Sequence, residues 1–129
     1  MADRPDVPAP TDAELDVLRV LWHRGPSTVR EVYDVVFAGK DVGYTTVLKQ
    51  MQVMHRKGLL KRSERFRSHV YEASQPQARV QRDLVQSLVR QAFGGSAASL
   101  VQSALGGRKV TAAELAEIRE VLEKFGGKS

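Results

Sequence analysis

The feature that most constrains the fold is a helix-forming segment, residues 44–58, whose apolar positions recur with a clear period. Val47, Met51 and Met54 lie at spacings of four and three residues, which places them on one buried face of a helix. Gly58 predicts the end of this helix, because glycine readily takes the left-handed conformation of a C-cap. The segment therefore has one face for packing and a polar face that is free for another role.

Two short β-like runs, residues 59–62 and 69–73, follow this helix directly. The link between them, residues 63–68, is basic and carries Arg65 and Arg67, and together with His69 it makes up the wing, residues 63–69. A helix followed by a hairpin with a basic tip is typical of a winged helix, in which the helix enters the DNA major groove and the wing lies along the backbone. The sequence therefore predicts a recognition helix and a DNA-binding wing.

The charge distribution agrees with this interpretation. Residues 44–73 contain seven Lys/Arg and two Asp/Glu, a net charge of +5, whereas residues 1–43 contain five and eight, a net charge of −3. The chain as a whole has a pI near 9.8, which favours an acidic partner such as nucleic acid. No Lys/Arg run adjoins an apolar segment long enough to span or anchor in a membrane, so we expect no membrane partner.

Domain organisation follows from shifts in composition. Residues 1–10 hold three of the five prolines and predict a disordered N-terminal arm. Residues 11–74 predict the winged-helix DNA-binding domain, and Gln75-Pro76 marks a boundary before a helical dimerisation domain at 75–129. The predicted fold class is mainly α with a small β-hairpin wing.

Capping signals and apolar stripes predict two helices before the recognition helix. T-x-x-E capping boxes begin at Thr11 and Thr28, and a third begins at Thr111. The second helix is expected to end near Ala38, and Ser27-Thr28 could pair with the hairpin as a minor third strand. The expected inward residues are Leu15, Leu18, Leu21 and Trp22 in the first helix and Val32, Val35 and Val36 in the second.

The last helix carries an apolar seam. Leu115, Ile118, Leu122 and Phe125 lie at spacings of three, four and three, the a/d spacing of a coiled coil. The three C-terminal helices span only about 55 residues and can hardly build a separate core. We therefore expect the four seam residues to pack against a second subunit in a homodimer; the alternative is that they cover the protein's own core.

The polar side of the recognition helix supplies the candidate base contacts. Thr45, Thr46, Lys49 and Gln50 lie near the N-terminus of the helix, the end that usually meets base edges. Lysine reaches guanine acceptors, glutamine pairs with adenine, and a threonine methyl contacts a thymine methyl. The alternatives are that Thr45 binds phosphate, that Thr46 faces the core, or that the whole segment is a core helix with a solvated side.

Phosphate contacts are expected mainly from the wing. Arg65, Arg67 and His69 lie there, and the alternative for them is a solvated charged loop. Tyr44, in the first turn of the recognition helix, can donate a hydrogen bond to a phosphate or pack on the second helix.

Other chemistries lack the residues that they need. The chain has no cysteine, which excludes disulfides, thiolate metal sites and cysteine nucleophiles. Its histidines, His23, His55 and His69, lie on different elements without metal-ligand spacing, so we expect neither a metal nor a cofactor. No nucleophile has a nearby base, so we expect no enzyme.

The N-terminus lacks the apolar segment of a signal peptide, which predicts a cytoplasmic location.

Short motifs recur along nearly the whole chain after residue 10, and Y-T-T-V-L at 44–48 followed by K-G-L-L at 57–60 is the most specific combination. Together they resemble the penicillinase-repressor family, the BlaI/MecI group that includes the copper-responsive CopY repressors. The other motifs are T-x-x-E-x-x-V-L-x-x-L-W at 11–22, T-V-R-E-V at 28–32, Y-E-A at 71–73, F-G-G-S at 93–96, S-L-V at 99–101 and E-L-x-x-I-R-x-x-L-E at 114–123.

The resemblance implies a homodimer that binds a palindromic promoter operator in double-stranded DNA and represses transcription. In that family, release often follows cleavage of an Asn-Phe bond by a membrane sensor, and the copper-sensing branch uses C-terminal Cys-x-Cys pairs. The positions that match the Asn-Phe bond are Ser103-Ala104, and the chain contains neither Asn nor Cys. The sensor or protease, and the inducing signal, therefore stay open.

A rival interpretation is a winged-helix protein-interaction module whose basic face docks on an acidic partner. It predicts stoichiometric protein binding and little sequence preference on DNA.

Overall fold

A computed structural model describes residues 9–37 and 39–126, and its order of elements confirms the predicted fold class. Residues 1–8 of the predicted N-terminal arm lie outside the described residues. The helices are α1 (Asp12–Arg24), α2 (Val29–Val32, continued by a π-helical turn at Tyr33–Phe37), α3 (Tyr44–Arg56), α4 (Gln77–Ala92), α5 (Ala97–Gly106) and α6 (Ala112–Gly126), and the strands are β1 (Leu60–Arg65) and β2 (Ser68–Ala73).

The chain divides into two compact units, one reaching Leu84 and the other beginning at Val85, so the division falls within α4. The first unit has a continuous hydrophobic core to which α1, α2, α3 and the hairpin all contribute. Its buried members are Val17, Leu18, Val20, Leu21, Val29, Val32, Phe37, Val47, Met51, Met54, Leu59, Leu60 and Tyr71.

Helix α1 begins where the capping box predicts. The Thr11 hydroxyl accepts a hydrogen bond from the Glu14 N–H at 3.2 Å, and the Glu14 carboxylate accepts one from the Thr11 N–H at 3.0 Å. The buried stripe differs in part from the prediction, because Leu15 and Trp22 are only half-buried. The Trp22 indole instead donates to the Gln75 carbonyl at 3.0 Å, which ties the end of α1 to the segment after the hairpin.

The second helix departs most from its prediction. Thr28 and Glu31 form the expected capping box, but after Val32 the helix widens into the π-helical turn. This widening changes the angular phase of the side chains that follow. Phe37 is consequently buried, whereas Val35, predicted to face inward, is 56% exposed. The predicted helix end at Ala38 lies outside the described residues.

The hairpin is longer and more tightly closed than predicted. Strands β1 and β2 pair antiparallel from Leu60↔Ala73 to Arg65↔Ser68, so Arg65 belongs to a strand rather than to a loop. Only Phe66 and Arg67 lie between the strands. The expected pairing with the hairpin is present at Ser27 as an isolated β-bridge beside the two-stranded sheet, in which Ser27 exchanges two backbone hydrogen bonds with Tyr71, at 2.9 and 2.8 Å.

The second unit lacks a comparable core. Among its described residues, Val89 is the one buried hydrophobic side chain, and α5 and α6 bury none. The third capping motif forms in part: the Glu114 N–H donates to the Thr111 hydroxyl at 3.0 Å, while the Glu114 carboxylate accepts from Arg108 at 2.6 Å.

Candidate nucleic-acid interface

Helix α3 has one buried face and one exposed face. Its three predicted apolar residues are fully buried in the core of the first unit. On its other side, Thr45, Thr46 and Lys49 are exposed and Gln50 is half-buried. Thr46 therefore does not face the core, and Gln50 lies nearest the edge of the exposed face. The arrangement leaves a polar helix face available to a partner.

Helical geometry adds Arg56 to this face. Lys49 and Arg56 lie four and eleven residues after Thr45, and these spacings return to the same side of a helix. All three side chains are exposed. This row lies opposite the buried face and bears two positive charges. The spacing alone indicates that Arg56 is aligned with Thr45 and Lys49. Because Arg56 lies beyond the first turns of α3, the sequence leaves open whether it contacts DNA.

The N-terminus of α3 differs from those of α1 and α2. Its N-cap is Gly43, which makes no side-chain capping bond, and its first turn holds no acidic residue. In α1 and α2, a threonine and a glutamate occupy the corresponding cap and third positions. The positive end of the α3 dipole is therefore not neutralised by its own side chains, which suits the approach of an anion such as phosphate.

Tyr44 packs on the second helix at this N-terminus. Its ring meets the ring of Tyr33 edge to face, with centroids 5.9 Å apart. The Arg30 guanidinium lies over the Tyr44 ring, 4.5 Å from its centroid. Sequence reasoning does not single out Arg30, because a cation–π contact between separate helices leaves no local signal. The cluster holds an exposed cation beside the start of α3.

An ion pair that is buried on its acidic side fixes the other end of α3. Lys57 donates to the Glu14 carboxylate at 2.7 Å, and Glu14 is buried. Burial by itself would raise the pKa of the Glu14 carboxyl, but the Lys57 hydrogen bond and charge, together with the Thr11 N–H, lower that pKa below its ordinary value of 4.5. Lys57 is therefore engaged within the protein, and Glu14 both caps α1 and holds the C-terminal end of α3.

The wing projects its cations into solvent. Every residue from Lys61 to His69 is exposed, and the stretch includes Arg62 as well as the predicted phosphate contacts Arg65 and Arg67. Lys61 lies opposite Glu72 in the strand register. The two arginines near the tip are thus accessible, whereas Lys61, nearer the base of the hairpin, faces an acidic residue across the sheet.

Two wing residues also interact with this chain's own acids. His69 is opposite Glu64, with its Nε2 3.8 Å from a carboxylate oxygen. The pKa of the Glu31 carboxyl is lowered, mainly by the hydrogen bond that it accepts from the Thr28 backbone N–H. Burial acts in the opposite direction, and the charges of Arg24 and Arg65 lower the pKa further.

The predicted dimerisation residues lie along α6 in the second unit. Leu115 and Ile118 are half-buried, while Leu122 is 60% and Phe125 is 76% exposed. Their exposure increases towards the C-terminal end of the helix.

The same described residues offer neither a metal site nor a membrane span. Over residues 9–37 and 39–126, no group of three or more His, Asp or Glu side chains could hold a metal ion. None of the helices in that part of the chain combines the length and apolar character needed to cross a membrane.

Comparison with known proteins gives a consistent result. The family model for the penicillinase repressor matches residues 10–124. The chain is also similar to the protein named Transcriptional regulator BlaI from two strains of Mycobacterium tuberculosis, with 38% identity over 61 residues in each. That segment is 46% of this chain and 44% of each relative, so the match covers less than half the length of these curated relatives.

Proposed function

This chain belongs to the penicillinase repressor family, and from that premise we propose that it is a transcriptional repressor that binds a palindromic promoter operator in double-stranded DNA as a homodimer. Helix α3 enters the major groove and the wing follows the phosphate backbone. Repression works by occupancy in the cytoplasm: the bound dimer blocks the polymerase, and its release lets transcription resume. No catalytic step or cofactor is needed.

The observation that carries this proposal is the exposed row on α3. Thr45, Lys49 and Arg56 lie opposite the face that packs in the core, on a helix that contains no Asp or Glu. The core therefore anchors the helix while its cationic face points outward. A helix of this kind, with an uncapped N-terminus, is suited to a groove lined by phosphates.

The proposed contacts divide into two classes. Base edges are read by Thr45, Thr46 and Lys49, with a weaker role for Gln50, which is half-buried. Phosphates are held by Tyr44, Arg65, Arg67 and His69. Because the Tyr44 ring is fixed between Tyr33 and Arg30, its hydroxyl is oriented by packing, and Arg30 adds a cation beside it.

The homodimer is proposed to form through Leu115, Ile118, Leu122 and Phe125. Support comes from the second unit, whose described residues bury a single hydrophobic side chain while Leu122 and Phe125 stay exposed. A second copy would cover this apolar face, and two-fold symmetry would present two recognition helices to a palindrome. Which sensor, protease or signal releases the dimer does not follow from these features.

Selection from a pool of random duplexes tests this proposal, because the selection itself identifies the operator sequence. The purified protein should enrich a two-fold symmetric sequence, and it should bind that duplex on the order of 10³-fold more tightly than random DNA at the same salt concentration. A footprint would then give the spacing of the half-sites. Failure to enrich any sequence would contradict the proposal and favour the module that docks on an acidic protein.

A further inference from the structure

The tip of the wing carries an aromatic side chain with almost no contact to the protein. Phe66 is 93% exposed, more than any other large hydrophobic residue in the part of the chain that the structure describes. A phenylalanine in water gains none of the free energy that burial of its ring would provide. Folding of this chain therefore does not account for an aromatic residue at this position.

The backbone at the tip is unfavourable for the residues that occupy it. Arg65 and Ser68 are paired, so Phe66 and Arg67 form a two-residue turn, with φ of 51° and 68°. Such turns favour Asn-Gly, because both central residues take positive φ, and a Cβ makes that conformation costly. In the described residues, these are the two non-glycine positions with positive φ. Strain at a residue that packs on nothing points to a use outside the folded chain.

The charges around Phe66 indicate what it meets. Arg65 and Arg67 flank it in sequence, and all three side chains are exposed. The nearest acid, Glu64, lies opposite His69 in the strand register. An apolar ring flanked in sequence by two exposed arginines matches a target that has phosphates on both sides and stacked bases between them. The minor groove suits the narrow two-residue tip better than the major groove, because it is about 6 Å wide rather than about 12 Å and so holds both backbones closer to the bases.

We propose that Phe66 is an apolar wedge that enters the minor groove next to each half-site and partly unstacks one base step, while Arg65 and Arg67 hold the phosphates on either side. This inference rests on the proposed DNA-binding function. Pyrimidine–purine steps unstack most easily, so the wedge makes the protein prefer a flexible step, such as TA, at a position where no hydrogen bond reads the base.

The test compares Phe66→Ala and Phe66→Leu with Arg67→Ala. Binding is measured on the duplex selected from the random pool and on a random duplex rich in TA steps, with 2-aminopurine placed at each candidate step. Phe66→Ala should weaken binding about tenfold and abolish the rise in 2-aminopurine fluorescence, with an unchanged salt slope. Arg67→Ala should flatten the slope of log K against log salt by about one unit and keep the fluorescence signal. Phe66→Leu, which stays apolar, should retain most of the signal.

Phe66→Gly separates folding from binding. Glycine relieves the positive φ, so this variant should unfold at an equal or higher temperature than the wild type and still lose DNA affinity. Wild-type affinity and fluorescence in Phe66→Ala would overturn the wedge, even if the selected duplex is strongly preferred. A different outcome is that the protein prefers no duplex, yet Phe66→Ala still loses affinity and fluorescence signal on the TA-rich duplex. That outcome would support insertion of Phe66 into the minor groove and contradict the proposal of an operator-specific repressor.

Discussion

Helices α3 and α6 both place apolar side chains at spacings of three and four residues, but in the part of the chain that the structure describes the apolar face of α3 is buried and that of α6 is covered only in part. Met51, in α3, is fully buried, whereas Leu122 and Phe125, in α6, are 60% and 76% exposed. The two sequence patterns are alike, so the difference arises from what lies beside each helix. Periodicity identifies a face to be buried, but it does not say whether the same chain or a second copy buries it.

The polar faces of the two helices differ in charge. Helix α3 holds Lys49 and Arg56 and no acidic residue, whereas α6 interleaves acidic and basic residues on its outer side. A mixed surface is typical of solvent exposure, while a face of one sign favours a charged partner. The comparison therefore supports the proposal that DNA binds the polar face of α3 and that a second subunit covers the apolar face of α6. Four predictions, in order of decreasing expected effect, test these assignments.

The largest effect is expected from a charge on the apolar face of α6. Leu122→Glu would bury an unpaired carboxylate between subunits and should weaken dimerisation by about 4 kcal/mol. Analytical ultracentrifugation should then show monomers, with a matching loss of operator affinity. Arg119→Glu, which places the same side chain on an exposed position of α6, is the control. If Leu122→Glu remains a dimer, the seam lies elsewhere.

The next effect distinguishes an internal core from an interface. Met51→Ala should reduce the free energy of unfolding by about 3 kcal/mol, because it leaves a cavity in the first unit. The loss should be the same at every protein concentration. Leu122→Ala should instead destabilise by an amount that depends on concentration, as expected when association contributes to stability. Thermal melts over a hundred-fold range of concentration would measure both, and a concentration-independent loss in Leu122→Ala would place that residue in the chain's own core.

A smaller effect is expected from the polar face of α3. Lys49→Ala should lose about 1–3 kcal/mol of binding free energy on the selected duplex and less on random DNA. Lys124→Ala removes the same exposed charge from α6 and should leave both affinities unchanged. Equal losses on the two duplexes in Lys49→Ala would move this residue from base reading to phosphate binding.

The smallest effect concerns the ion pair at the C-terminal end of α3. Glu14→Gln should cost about 1 kcal/mol of stability at pH 7, because it removes the charge that Lys57 pairs with. Since the pKa of folded Glu14 lies below its ordinary value of 4.5, the wild type should hold this advantage above that pH. It should lose the advantage as the pH falls through the folded pKa.

The control for that prediction is Asp16→Asn, which removes the partner of Arg19 in a more exposed pair on the same helix. Urea unfolding between pH 3 and pH 7 should show a smaller and flatter difference for this variant. Because glutamine can also complete the capping box, a pH-independent deficit in Glu14→Gln would contradict a stabilising role for the charge of Glu14.

Local rules account for most of the fold. The capping boxes at Thr11 and Thr28 and the apolar face of α3 follow from residue type and spacing, because they depend on hydrogen bonds within one turn or on helical periodicity. The pairing of Ser27 with Tyr71 instead joins distant parts of the chain, so the sequence alone indicates it as a possibility. The same rules place the predicted DNA contacts on α3 and the wing, where they are exposed or half-buried.

Other features required the tertiary structure. Val35 turns outward because a π-helical turn changes the phase of α2, and no residue in that segment signals the change. The hairpin closes through Phe66 and Arg67, neither of which is a usual residue for such a turn. These are positions where packing or pairing of neighbouring elements overrides local preference.

By itself the sequence determined the helices, the hairpin, the polar face of α3 and the apolar seam of α6, since each of these is encoded by residues close together in the chain. The tertiary structure alone decided that Glu14 engages Lys57, 43 residues away, and that Arg30 lies over Tyr44. Ion pairs and cation–π contacts between elements have no fixed sequence spacing, so they become visible when the backbone has brought their partners together.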